Sequence, residues 1–214
     1  MTAGTPALLT VDEAVDALRA ALRRRTRVLA GLTGAPAAGK STLAARLAEA
    51  AEACGLRTVV VPMDGFHLAQ EVLDARGWGS VKGAPHTFDA AGYVALLRRL
   101  RGEPGTVWAP EFDRSLEQAI AGAIEVGPQV QVVITEGNYL LLDGPPWDGV
   151  RPLLDLAWYV EAPDELRRQR LIARHEHYGR SRSEATDRAL GTDERNAALV
   201  RASRGRASAV IRVE

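Results

Sequence analysis

Apolar positions along the chain alternate between short continuous runs and helical stripes. Thr10-Val11-Asp12-Glu13 has the form of a helix-opening capping box, and Val11, Ala14, Val15, Leu18, Ala21 and Leu22 follow at helical spacing. The run at 27–33 reads as a buried strand. After it, Leu43, Leu47, Ala50 and Cys54 mark a helix over 42–54, ended by Gly55. A second strand covers 57–62, and two parallel strands joined by a helix make a right-handed βαβ unit. On this reading, Asp64 ends the strand beside the first one. Residues 74–89 are glycine-rich and polar, hence a loop. Tyr93, Leu96, Leu97 and Leu100 share one helix face, and 106–112 form a short extended segment. Further strands are expected at 130–135, 153–161 and 209–213. Pro163 opens a helix from within its first turn, and one more helix spans 184–202. The pattern predicts an α/β fold, a parallel five-stranded sheet with helices on both faces. It reads as a single domain over 1–214, with the N-terminal helix inside 1–26.

Between the first strand and its helix lies Gly34-Ala35-Pro36-Ala37-Ala38-Gly39-Lys40-Ser41, followed by Thr42. This fits G-x-x-x-x-G-K-[ST], the phosphate-binding P-loop, in the strand–loop–helix setting that its chemistry needs. Gly34 and Gly39 let the backbone curl so that its amides face phosphate oxygens, and the following helix adds its positive end. Lys40 is expected to reach the β- and γ-phosphates of ATP, and the Ser41 hydroxyl to bind Mg²⁺. The fold expected is therefore that of a three-layer P-loop NTPase.

Two carboxylates stand where strands of such a sheet end, on the ligand-binding edge. Asp64 is placed to take a proton from an attacking hydroxyl, and Glu136 to hold Mg²⁺. Residues 164–182 carry six arginines against three carboxylates. Arg167, Arg170 and Arg174 fall on one helical face, which suits a small Arg-rich lid over the phosphates at 163–183, with mobility near Gly179. His175 and His177 point in different directions on a helix, and no H-E-x-x-H occurs, so no histidine metal site is expected. His67 and His86 stand in the two loops that flank the expected acceptor pocket.

Composition narrows the partners. Lys+Arg and Asp+Glu both total 27, so the net charge is zero and no global field favours nucleic acid or a membrane. The arginines are not interleaved with aromatics, as a nucleic-acid groove would require. Residues 1–10 lack the pattern of a signal peptide, and the single cysteine cannot form an internal disulfide; both fit a cytoplasmic protein.

Four blocks in order resemble the phosphoribulokinase/uridine kinase family of P-loop kinases: 34–42, Pro62-Met63-Asp64-Gly65-Phe66-His67, Lys82-Gly83-Ala84-Pro85-His86-Thr87-Phe88-Asp89, and Thr135-Glu136-Gly137-Asn138-Tyr139. Asp-Gly-Phe, Lys-Gly-x-Pro and Ala109-Pro110-Glu111-Phe112-Asp113-Arg114 are similar to segments of bacterial type I pantothenate kinase within that family. The resemblance covers about 28–205. It implies an ATP- and Mg²⁺-dependent kinase with Asp64 as the base activating the acceptor hydroxyl. It further implies that Lys40 and Ser41 hold phosphate and metal, that Glu136 is the metal-side acid, and that Arg170 and Arg174 belong to the lid. His67, Lys82, Asp113 and Arg114 are expected around the acceptor; Asn196 and Arg204 lie in a late family-like segment. His86 and Val81 depart from the pantothenate kinase pattern, so the acceptor stays open among a sugar, a nucleoside and a pantothenate-like alcohol. The chain is expected to act as a monomer or homodimer. A regulatory P-loop ATPase or nucleotide switch, without Asp64 as base, is the rival reading.

Overall fold

The computed structural model describes residues 7–213; of residues 1–10, expected to lack a signal-peptide pattern, the first six lie outside the described residues. Eight strands and seven α-helices are formed among the described residues: β1 Ala7–Leu8, α1 Val11–Leu22, β2 Val28–Thr33, α2 Lys40–Ala53, β3 Thr58–Pro62, α3 Gln70–Ala75, α4 Ala90–Gly102, β4 Val107–Asp113, β5 Gln118–Val126, β6 Val132–Gly137, β7 Leu156–Glu161, α5 Asp164–His177, α6 Arg182–Leu190, α7 Thr192–Ala202 and β8 Ala209–Arg212. The main sheet is six-stranded and parallel, in the order β1-β8-β7-β2-β6-β3. The expected five strands are all present; β1 adds a short edge beside β8.

The apolar runs lie where both faces of the sheet are covered. Every residue of β2 and β6 is buried. On one face Leu18 of α1 and Leu43 and Leu47 of α2 pack with Val28, Ile134 and Trp158. On the other, Tyr93, Leu97 and Leu100 of α4 pack with Leu29, Val133, Tyr139 and Trp147. Central strands of a doubly covered parallel sheet need apolar side chains on both sides, which is why these segments read as unbroken runs. The capping box closes as expected: the Glu13 amide donates to Thr10 Oγ1 at 3.2 Å, and the Thr10 amide to Glu13 Oε2 at 2.8 Å.

Several expectations are corrected. β3 pairs with β6 and not with β2, so the strand ending in Glu136 separates Asp64 from the P-loop strand. The segment after 106 is the first half of an antiparallel hairpin, β4–β5. Its second half, Gln118–Val126, is built largely of small residues and Ile and is mostly exposed, so it carries little alternation to read. The loop at 74–89 contains short 3₁₀ turns, and the expected helix at 184–202 breaks into α6 and α7 at Gly191. Pro163 sits one residue earlier than expected, as the N-cap of α5. Cys54 is exposed at the end of α2 and not part of the apolar stripe.

Candidate active site

The C-terminal ends of β2, β3 and β6 open onto one cleft of about 800 Å³. At one end lies the P-loop. Gly39 sits at φ +89°, a left-handed conformation that favours glycine, and it lets the chain swing from loop into α2. Lys40, the first residue of that helix, is buried; its Nζ donates to Asn138 Oδ1 at 2.7 Å and to Ala35 O at 3.2 Å. Burial pushes the Lys40 ammonium pKa down, against the opposing pull of Glu136 and Asp64. The Ser41 hydroxyl donates to Glu136 Oε1 at 2.7 Å. Glu136 is itself only 6% exposed; burial, and then the charge of Asp64, push its pKa up, with Lys40 pulling the other way. Lys40 and Glu136, both buried, thus stand together at the P-loop end of the cleft, and the charge of Asp64 reaches them from across it.

Asp64 lies on a 3₁₀ turn, Met63–Phe66, directly after β3. Gly65 is required there by space: a Cβ on it would meet Pro110 O at 2.4 Å, so only glycine lets the β4–β5 hairpin lie against the turn. That hairpin delivers Arg114, whose Nη2 donates to Asp64 Oδ2 at 3.2 Å. His67 donates from Nδ1 to the Asp64 carbonyl at 2.8 Å, since a carbonyl can only accept. Its ring lies 4.0 Å from Phe88 and 4.7 Å from Phe112, centroid to centroid. Burial lowers its pKa and favours the neutral ring. Lys82 Nζ donates to the carbonyl and to Oε2 of Glu117, both at 3.1 Å, and stands over the Phe112 ring. The adjoining Gly83 carbonyl accepts from the Tyr139 hydroxyl at 2.5 Å and from Asn196 Nδ2 at 3.3 Å. The third wall comes from α5–α7, with Arg170, Arg174 and the pair His175 Nε2–Asp193 Oδ2 at 2.7 Å.

No family model matches the chain. In structure it is similar to a provisionally named fructose transport system kinase from Silicibacter sp. TM1040, at 40% identity and a TM-score of 0.87 over 96% of this chain and all of that one. The phosphoribulokinase of Rhodobacter spheroides shares the fold, with a TM-score of 0.59 at 14% identity over 80% of this chain and 65% of that one. In sequence, a Schizosaccharomyces pombe (strain 972 / ATCC 24843) protein provisionally named a uridine kinase is 37% identical over 180 residues, covering 79% of this chain and 75% of that protein. The chain belongs to the phosphoribulokinase/uridine kinase family of P-loop kinases. It is a kinase, with a small-molecule kinase's fold.

For this P-loop kinase, most residues singled out in the sequence meet in the cleft. Pro36, Ala37, Gly39, Lys40, Ser41 and Thr42 line its P-loop end, with Glu136, Arg170 and Arg174. Asp64, His67, Lys82 and Arg114 line the other end. Gly34, Ala35 and Ala38 do not line it; Ala35 and Ala38 are buried under the loop, and Gly34 is pressed against the Val160 carbonyl. Asp113 does not line it either. Its Oδ1 accepts from the Ser115 amide and hydroxyl and from the Leu116 amide, which spends the carboxylate on the hairpin turn. His86 packs edge-on against Trp78, away from the cleft lining. Asn138 and Glu117 were not singled out. Asn138 was legible in principle, because it stands two residues beyond Glu136, on the same side of an extended chain. Glu117 sits in the β4–β5 hairpin turn, at φ +53°, with no sequence signal for its contact with Lys82.

The Ser41–Glu136 pair fits Mg²⁺ by donor chemistry: two hard oxygens at a P-loop, with room for ligands from phosphate and water. Among the described residues no three His, Cys, Asp or Glu side chains converge as a protein-only metal cage.

Proposed function

We propose that this kinase transfers the γ-phosphate of ATP to a hydroxyl of a small polar metabolite: a sugar, a nucleoside or a pantothenate-like alcohol. The observation that carries the reading is the joint opening of the Lys40–Ser41–Glu136 cluster and the Asp64–Arg114 pair onto one cleft. ATP lies with its phosphates on 36–42, and Lys40, held by Asn138, faces the β- and γ-phosphates. Ser41 and Glu136 hold Mg²⁺, which supplies charge neutralisation on the phosphate oxygens when bound. Arg114 takes Asp64 Oδ2 and orients the carboxylate, so that Oδ1 receives the acceptor's proton. His67 Nδ1 is committed to the Asp64 carbonyl, so its contribution to the acceptor is a lone pair on Nε2, and Lys82 and Arg114 supply donors.

Arg170 and Arg174 approach the transferring phosphoryl group from α5, as part of a lid at 163–183. Positioning and electrostatics supply most of the rate, as this chemistry needs little covalent help. The unit acts as one domain, as a monomer or homodimer, without nucleic acid or membrane. Among the described residues no helix is long and apolar enough to cross a membrane.

The test is ADP formation from ATP·Mg²⁺ across a panel of sugars, nucleosides, pantothenate and related alcohols. A large rise with one compound identifies the acceptor. ADP release that ignores every acceptor in the panel supports a regulatory ATPase instead.

A further inference from the structure

Arg167 is the most deeply buried arginine of the molecule's described part, 1% exposed, and it lies behind the P-loop and not in the cleft. Its Nη1 donates to the carbonyl of Pro36 at 3.3 Å. Its Nη2 donates to Glu194 Oε2 of α7 at 2.7 Å and, with Nε, to Asp164 Oδ1 at the start of α5, at 3.1 and 3.2 Å. Arg201 closes the network through Glu194 Oε1 at 2.7 Å and Asp164 Oδ1 at 3.2 Å. One guanidinium therefore joins the phosphate loop to two of the helices that form the third wall of the cleft.

The peptide it grips is the strained one. Ala37 has φ +62°, a left-handed conformation that a residue with a Cβ adopts only at a cost. A trans peptide is planar, so its carbonyl and its N–H point in opposite directions. With the Pro36 carbonyl held from behind by a buried guanidinium, the Ala37 N–H is turned to the opposite side, where Pro36 and Ala37 line the cleft.

We infer that Arg167 is a positioning residue for phosphate binding: it fixes the Pro36–Ala37 peptide so that the Ala37 amide faces the polyphosphate, and Glu194 and Asp164 hold Arg167 in place. This rests on the reading that the P-loop binds ATP. It assigns Arg167 a task different from that of Arg170 and Arg174 on the same helix, which line the cleft directly.

The experiment is calorimetric titration of MgADP into wild type, R167K, R167M and E194Q, with circular dichroism and melting as fold controls. R167M is expected to weaken MgADP about tenfold or more, the scale of one charge-assisted hydrogen bond. R167K cannot span the fork of partners and is expected to weaken it by several-fold, about as E194Q does. A second readout separates orientation from mere stability. In ¹⁵N-labelled protein, the Ala37 amide resonance shifts on MgADP addition in wild type and loses most of that shift in R167K. If R167M does not fold, R167K and E194Q decide. Folded variants with wild-type affinity and a wild-type Ala37 shift overturn the inference alone. A wild type that fails to bind MgADP overturns both it and the reading it rests on.

Discussion

At the scale of single residues, the cleft's two ends make separable demands. Asp64→Asn keeps the shape and the Arg114 contact but removes the proton acceptor. Turnover with the acceptor is expected to fall by about a hundredfold or more, with ATP affinity unchanged; unchanged turnover in steady-state assays would rule out Asp64 as base. Asn138→Ala acts at the other end. It removes the 2.7 Å partner of the Lys40 ammonium, a charge-assisted bond in a buried setting. The expected result is a rise of about tenfold in the KM for ATP with little change in that for the acceptor. An effect confined to the acceptor would show that Asn138 belongs to the other half of the site. Asp113 teaches a different lesson. It was legible as a carboxylate near the acceptor, but residue type alone does not reveal that the turn amides at 115 and 116 already occupy it.

At the scale of elements, contacts between helices and loops decide how the walls are held. Burial disfavours ionisation of Glu194, but hydrogen bonds from Arg201 and Arg167 outweigh it and hold its pKa at about 2, against an ordinary 4.5. A carboxylate with a lowered folded-state pKa binds fewer protons when native than when unfolded, so its stabilisation is complete above about pH 4.5. It is lost as the pH falls towards about 2. Urea unfolding across that window is expected to show a steeper acid loss in wild type than in E194Q. Equal slopes would mean that the network contributes nothing in acid. The β4–β5 hairpin depends instead on contact with the Asp64 turn. Gly65→Ala places a methyl on the Pro110 carbonyl, and is expected to destabilise by roughly 1–3 kcal/mol in denaturant titration and to lower turnover by shifting Arg114 from Asp64. A neutral result in both assays would show that the hairpin is free to move away.

At the scale of the whole molecule, the sheet supplies one edge of the cleft, and α5–α7 supply the wall that faces it. The turn between α5 and α6 has Gly179 at φ +90° and carries Tyr178 and Arg180 into the cleft wall. If 163–183 is a lid, hydrogen exchange across 174–188 is expected to slow on binding a non-hydrolysable MgATP analogue; unchanged exchange would argue for a rigid wall. What the chain could establish by itself was local. Apolar runs fixed the central strands because a parallel sheet covered on both faces tolerates little else. The P-loop, the Thr10 capping box and the acids at strand ends followed from short-range chemistry. Strand order was not local: pairing β3 with β6 and not with β2 depends on how the faces pack, and periodicity carries no trace of it. The same holds for the hairpin and for the separation of Arg167 from Arg170 and Arg174. A helical wheel places these three arginines together, but one turn of helix and a buried loop carbonyl decide that two meet the cleft and one supports it from behind.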